Sequence, residues 1–146
     1  MDVDNVQQLI ANKVPVADFI GLQVDAVSPG HVRLHLPFSP QVINHLNIVY
    51  AGAIFALAEI AGGVAMLSAF DSELYTVLIR RMEIDYVRPS RRDLLCDLHL
   101  SDTLVADTQA MLQQQGHADI QFPIEVVDER ERVIARVYAF YYLRQV

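Results

Sequence analysis

The 20 residues from 51 to 70 constrain the fold of this chain more than any other feature. They comprise mostly apolar residues, with seven alanines, three glycines and a single charged residue, Glu59. Their length would span a bilayer, but a carboxylate near the midpoint is costly in lipid, and half of the positions are small residues. The flanking segments are typical of strands. We therefore predict a buried helix over about 51–69, wrapped by the rest of the domain.

The remainder of the chain alternates apolar and polar residues in the manner of strands. The predicted strands are 22–27, 31–36, 74–87, 94–101, 117–127 and 132–143. Helical spacing of apolar residues predicts an N-terminal helical segment over about 3–20, and Asp107 can cap a short helix that ends at Gly116. The expected fold is α+β, with a mostly antiparallel sheet of about six strands around one long central helix. A length of 146 residues predicts a single domain over 1–146.

Charge and cysteine content exclude several classes of protein. The chain has 18 acidic and 11 basic residues, a net charge of −7, so it cannot readily present the broad basic face of a duplex-binding protein. One cysteine, Cys96, excludes an intramolecular disulfide and any multi-cysteine metal site, and its apolar register predicts a core position. The five histidines show no metal-ligand spacing, so no metal site is predicted. The acidic N-terminus predicts no signal peptide, and we expect a cytoplasmic protein.

Glu59 is the first candidate for a catalytic residue. An ionised carboxylate on a buried helix costs several kcal/mol unless it finds a partner, reaches water or holds a proton. No lysine or arginine lies within two turns of it in the sequence. Perturbed carboxylates concentrate at functional sites, although a purely hydrogen-bonded structural role is the alternative.

The start of the same helix is the second candidate. The first N–H groups of a helix lack intrahelical acceptors, and together with the helix dipole they can bind an anion or a developing oxyanion. Gly52 would let a ligand approach the backbone closely, or would serve helix–sheet packing. Asn44 and Asn47 precede the helix and could bind substrate or act as ordinary capping residues.

These residues resemble a known signature. Asn44, Gly52 and Glu59 are similar to the Asn, His-Gly-Gly and acidic positions of hotdog-fold acyl-CoA thioesterases of the phenylacetate-degradation type. The segment 82–89 resembles the family strand that ends in Tyr-x-x-Pro, here Tyr86 to Pro89. The resemblance covers about residues 15–143. It implies the hotdog fold and hydrolysis of a fatty- or aryl-acyl-CoA thioester in a homodimer or homotetramer, with no cofactor other than the CoA of the substrate.

The resemblance also implies roles for individual residues. Glu59 would activate the attacking water or attack the thioester itself, and Asn44 would help to place the water or the substrate. The N–H of Ala51 or Gly52 would hold the thioester oxygen. The chain departs from the family pattern at Tyr50, at Ala51 and at Ile79. In the family these three positions carry His, Gly and, in some members, Ser or Thr.

Helix geometry predicts that the site is shared between two subunits. Gly52 and Glu59 are seven residues apart, which is about 10 Å along a helix axis. One small reaction centre needs its donor and its base within about 3 Å of the same group. A two-fold dimer with antiparallel helices would bring Gly52 of one chain near Glu59 of the other.

Five arginines between positions 80 and 92 form the main basic cluster. Arg88, Arg91 and Arg92 flank the turn at Pro89 and are the expected ligands for the phosphates of CoA, because arginine pairs well with phosphate oxygens. The alternative is a solvated strand edge. We also expect Asn47 and Tyr50 to contact substrate.

Two other functions fit the sequence. A non-catalytic acyl-CoA-binding hotdog protein would explain the substitutions at Tyr50, Ala51 and Ile79. A hotdog dehydratase or hydratase is disfavoured because such enzymes typically pair a histidine with an acidic residue, and Tyr50 stands at the histidine position. Acyl-chain identity does not follow from the sequence.

Overall fold

A computed structural model describes all 146 residues, and it has the predicted architecture. The helices are α1 (Val3–Lys13), α2 (Pro15–Phe19), α3 (Ala51–Ala69) and α4 (Asp102–Gln115), and the strands are β1 (Gln23–Ser28), β2 (His31–Leu36), β3 (Tyr75–Tyr86), β4 (Leu94–His99), β5 (His117–Asp128) and β6 (Val133–Gln145). The six strands form one antiparallel sheet in the order β1-β2-β4-β5-β6-β3. The predicted hotdog arrangement, a sheet wrapped around one long helix, is confirmed.

The sheet curls around α3 because one face of each central strand is apolar. In β2, Val32, Leu34 and Leu36 are buried, and β5 alternates between buried and exposed residues along nearly its whole length. Ten of the 19 residues of α3 are buried, and the helix contacts all six strands. The helix is long and apolar enough to cross a membrane, but here it is the central element of the core.

Helix α4 starts earlier than the sequence analysis predicts. The prediction places a short helix after Asp107, whereas α4 begins at Asp102. Ser101 is the N-cap, and its hydroxyl accepts a hydrogen bond from the N–H of Leu104 at 3.1 Å. Serine is a favoured N-cap residue, so the helix begins as soon as β4 ends. Gly116 ends α4 in the left-handed conformation, as expected.

The two edges of the sheet differ. At β1, the side chain of Gln7 accepts from the N–H of Val24 at 2.7 Å and donates to the carbonyl of Leu22 at 3.0 Å. At the opposite edge, β3 pairs only with β6, and a bulge interrupts this pairing between Ile79 and Arg81. The free side of this 12-residue strand therefore presents unpaired main-chain groups.

Candidate active site

The first turn of α3 presents two free N–H groups. Tyr50 is the N-cap and makes no side-chain capping bond. Its carbonyl accepts from the N–H groups of Ala53 and Ile54, at 3.0 and 3.2 Å. The N–H groups of Ala51 and Gly52 have no acceptor within the protein. These are the two donors that the sequence analysis assigns to a thioester oxygen.

Two tyrosines flank this helix N-terminus. The ring of Tyr50 packs so closely on Gly52 that an added Cβ would overlap it, lying 2.8 Å from Cζ. The hydroxyl of Tyr86 donates to the carbonyl of Ala51 at 3.3 Å. Partial burial and the proximity of Tyr50 raise the pKa of Tyr86. Gly52 is thus in close contact with the exposed ring of Tyr50, which would have to rotate to admit a larger side chain.

The loop before α3 uses its asparagines for its own structure. The side-chain oxygen of Asn44 accepts from the N–H groups of Leu46 and Ile48, at 2.9 and 3.4 Å. Asn47 is exposed and lies at the loop tip with φ of 57°, a left-handed conformation that asparagine tolerates better than most residues. The capping alternative is wrong for both asparagines, because Tyr50 is the N-cap of α3 and the bonds of Asn44 stay within the loop. The substrate-contacting roles of Asn44 and Asn47 stay predictions.

Glu59 lies two turns along α3 and has no ion-pair or hydrogen-bond partner for its carboxylate. It is half-buried, and this burial raises the pKa of its carboxyl above the ordinary value of 4.5. Tyr141 of β6 approaches it, and the phenol donates to the main-chain carbonyl of Glu59 at 3.3 Å. Burial and then the charge of Glu59 raise the pKa of Tyr141. An unpaired carboxylate with a raised pKa is suited to accept a proton at neutral pH.

Glu59 and Gly52 share the face of α3 that the sheet leaves uncovered. Seven residues correspond to almost two full helical turns, so both positions point in nearly the same direction. Phe55 lies between them and is 43% exposed. A cleft of about 240 Å³ runs beside this face, lined by Phe55 and by residues of β3, among them Ile79 and Met82. Ile79 thus contributes apolar surface to this cleft, whose lining also includes Arg80 and Arg81.

An arginine-lined cavity of about 400 Å³ lies near the loop that leads into α3. Its lining consists of Pro89, Ser90, Arg91, Arg92, Glu129 and Arg132. The guanidinium of Arg91 donates to the carbonyl of Leu46 at 3.5 Å, so the cavity adjoins the 44–50 loop. The structure thus brings two of the three predicted phosphate ligands together. Arg88 does not line the cavity.

Arg132 is a member of this cavity that the sequence analysis missed, because it lies about 40 residues from the others. Its guanidinium donates to the buried carboxylate of Asp128 at 2.8 Å. Burial alone would raise the pKa of Asp128, but the N–H groups of Arg132 and Arg130 and the Arg132 guanidinium together lower it. Asp128 thus remains charged and holds Arg132 at the cavity.

A further cavity lies away from this site. It measures about 620 Å³ and lies between α4 and the strands β3, β5 and β6. Tyr141 is part of its lining, but Ala51, Gly52 and Glu59 are not. Tyr141 thereby connects this space to the main chain at Glu59. Tyr141 and Tyr86 are the two residues near the candidate site whose positions become evident only from the fold.

The fold and this arrangement define a class, the hotdog-fold thioesterase superfamily. A Pseudomonas aeruginosa protein of unknown function, described as a probable thioesterase, is 28% identical with a TM-score of 0.93, covering 100% of this chain and 97% of that one. A Haemophilus influenzae thioesterase matches at 15% identity and a TM-score of 0.78, covering 99% and 92%. The PaaI protein of the Escherichia coli phenylacetic acid degradation operon matches at 16% and 0.72, covering 99% and 93%. The last two similarities show the shared fold.

Within this superfamily the chain belongs to the family described as a domain of unknown function, DUF4442, which matches residues 4–143. A Halobacterium salinarum protein, provisionally described as an esterase, is 31% identical over 103 residues. That alignment covers 66% of this chain and 68% of that protein. The hotdog resemblance predicted from Asn44, Gly52 and Glu59 is confirmed at the level of fold and superfamily.

Proposed function

We propose that this protein is an acyl-CoA thioesterase that hydrolyses a fatty- or aryl-acyl-CoA to the free acid and CoA. The observation that carries the proposal is the open face of α3. This face has two free N–H donors at Ala51 and Gly52, followed two turns later by the unpaired Glu59 carboxylate. These are the two functions that acyl transfer needs, an oxyanion site and a base. The buried Cys96 is compatible with a reducing cytoplasm, where we place the activity.

In the proposed reaction the thioester carbonyl oxygen accepts hydrogen bonds from the N–H groups of Ala51 and Gly52. Glu59 takes a proton from water as the water oxygen bonds to the carbonyl carbon. The C–S bond then breaks as the carbonyl re-forms, and protonated Glu59 gives the proton to the departing thiolate of CoA, which restores the carboxylate. A variant of this scheme has Glu59 attack the carbonyl carbon directly, and water then hydrolyses the resulting anhydride.

We propose that each site is formed by two subunits. The axial separation of about 10 Å between Gly52 and Glu59 is too long for one carbonyl group to reach both within one chain. The unpaired edge of β3 offers a surface for a second copy, and Leu78 and Ile79 on this strand are 46% and 36% exposed. Pairing of two β3 edges around a two-fold axis would cover these residues and place two α3 helices side by side.

A complementation experiment tests the shared site. Glu59→Gln removes the base, and Gly52→Val crowds the donor end of the helix, so each variant alone should be nearly inactive. Random association of the two variants makes about half of the dimers heterodimers. Each heterodimer has one intact site, built from Gly52 of the Glu59→Gln chain and Glu59 of the Gly52→Val chain, and one site that lacks both residues. A co-expressed mixture should therefore recover about a quarter of wild-type activity. Sedimentation must show dimers or larger assemblies. A fully active monomer, or no recovery in verified heterodimers, would contradict the shared site.

We further propose that the cavity formed by Arg91, Arg92 and Arg132 binds the phosphates of CoA. Its arginines outnumber its single acidic residue, Glu129, in a protein whose net charge is −7. Arginine forms strong charge-assisted hydrogen bonds with phosphate oxygens.

The double variant Arg91→Glu/Arg92→Glu should raise KM for acyl-CoA by about tenfold or more, with little change in kcat. Hydrolysis of the matching acyl thioester of N-acetylcysteamine, which lacks phosphates, should be unaffected. Arg88→Glu is the control variant, because Arg88 lies outside the cavity. An unchanged KM for acyl-CoA in the double variant, or equal losses on both substrates, would contradict phosphate binding there.

A second candidate function is non-catalytic acyl-CoA binding. The observation that favours it is the ring of Tyr50, which packs on Gly52 at the donor end of the helix. Free-thiol release from short, long and aryl acyl-CoAs separates the two functions. Turnover of at least one substrate supports the thioesterase. Saturable binding without turnover on the whole panel would move the protein to the binding class.

A further inference from the structure

Two histidines and an aspartate meet on the face of the sheet that points away from α3. His31 and His99 are directly opposite each other in the pairing of β2 with β4. Their rings are stacked, with centroids 3.8 Å apart and an angle of 7° between planes. Nε2 of His31 lies 2.7 Å from a carboxylate oxygen of Asp97, and Nε2 of His99 lies 3.5 Å from the same oxygen. The three ligand atoms all lie within 4.8 Å of one another.

These distances are close to those around a four-coordinate zinc ion. Ligands at 2.0–2.1 Å from a tetrahedral metal are about 3.3 Å apart, a value between the two observed separations. Neutral imidazole nitrogens and a carboxylate oxygen form a ligand set suited to Zn²⁺, Ni²⁺ and Cu²⁺. Small rotations of the exposed His99 and Asp97 side chains, 68% and 49% accessible, would complete the geometry. The three side chains therefore need no backbone movement to bind such an ion.

The surroundings leave room for further ligands of the ion. Strands β4 and β5 pair only at Leu94 and Leu95, and beyond this point a cleft of about 350 Å³ opens between them. Asp97 and His99 line this cleft together with Glu125 and Arg136. Two of the three ligands, Asp97 and His99, therefore border a space with room for water or an anionic ligand, whereas His31 lies outside it.

We propose that His31, Asp97 and His99 form a binding site for a divalent transition-metal ion, with Zn²⁺ as the reference ion. The side chains of β2 at even positions face α3, and His31 is on the opposite face. The site is therefore separate from the proposed thioesterase centre, and its occupancy does not depend on that activity. Nearby, His35 and Asp93 form a similar pair at 3.0 Å but have no second histidine.

Isothermal titration of metal-stripped protein with Zn²⁺ tests the site. Wild type should bind one equivalent, and His99→Ala and Asp97→Asn should each weaken binding by about tenfold or more, as loss of one ligand does. His35→Ala is the matched control on the same strand face and should leave the affinity unchanged. Mg²⁺, which prefers oxygen ligands, should not compete.

A second measurement identifies the ligands directly. With one equivalent of Cu²⁺, electron paramagnetic resonance should show coupling to two nitrogens in wild type and in His35→Ala, and to one nitrogen in His99→Ala. The proposal is overturned if wild type shows no saturable Zn²⁺ binding. It is overturned equally if His99→Ala and His35→Ala bind Zn²⁺ alike, or if Mg²⁺ competes as strongly as Zn²⁺.

Discussion

Glu59→Gln should reduce kcat for acyl-CoA hydrolysis by at least about a hundredfold while leaving the protein folded. The amide has nearly the same shape as the carboxylate, but it accepts no proton and attacks no carbonyl, so general-base or nucleophilic catalysis is lost. Because the native carboxylate is half-buried and unpaired, a neutral side chain at this position should not destabilise the fold. Free-thiol release and circular dichroism, measured on the same preparations, check the two expectations.

The conservative variant and the pH profile separate catalysis from structure. Glu59→Asp keeps a carboxylate one methylene shorter and should retain more activity than the glutamine variant. A base acts in its ionised form, and burial raises the pKa of Glu59, so wild-type kcat should rise with pH through a midpoint above 4.5. This rise of kcat with pH should be absent from the residual activity of Glu59→Gln. Activity of that variant within about threefold of wild type would exclude Glu59 from the chemistry.

Gly62→Ala should lower the free energy of unfolding by about 1–3 kcal/mol, the usual cost of overpacking a core. A Cβ at Gly62 would overlap the Tyr141 hydroxyl and lie 3.1 Å from its Cζ and 3.2 Å from Cδ1 of Ile124. Tyr141 is 2% exposed and has little room to withdraw. Chemical denaturation followed by far-ultraviolet circular dichroism measures the effect, since the chain has no tryptophan.

The neighbouring glycine provides the matched control. Within its own chain a Cβ at Gly63 would meet nothing within 4 Å, so Gly63→Ala should stabilise the helix of the subunit by about 0.5–1 kcal/mol through backbone entropy. Adding Tyr141→Phe to Gly62→Ala removes the clashing oxygen and should restore part of the lost stability. All comparisons are made at one protein concentration, because subunit association would shift the midpoints. Equal effects at the two glycines would refute the close contact.

The central helix could be predicted from the sequence almost to the residue. The apolar run at 51–69 is too long for a strand and contains no proline, so α3 has the expected bounds despite its three glycines. The start of α4 differs from the prediction because the alternating pattern places Ser101 in the strand 94–101, whereas β4 ends at His99 and Ser101 is the N-cap of α4. Local pattern therefore predicts element identity better than element boundaries.

The candidate site could be predicted only where its residues are close in the sequence, as Arg91 and Arg92 are, or share one element. Ala51, Gly52 and Glu59 lie on α3, and helical periodicity relates them to each other. Tyr141 reaches Glu59 across 82 positions, and this approach depends on the pairing and curvature of the whole sheet. The group of His31, Asp97 and His99 likewise depends on strand pairing, because its two histidines become neighbours only through the register of β2 with β4. Pairings of this kind leave no local signal in a single sequence.

Because β3 lies at the edge of the sheet and pairs only with β6, the strand order affects when the chain can fold during its synthesis. Strand β6 lies between β5 and β3 in the sheet, so β3 has no partner within the chain until the final 13-residue strand is made. Until β6 is made, the sheet that covers the apolar helix α3 is incomplete. We therefore expect the nascent chain to expose apolar surface until β6 has been made, a state in which chaperones typically bind.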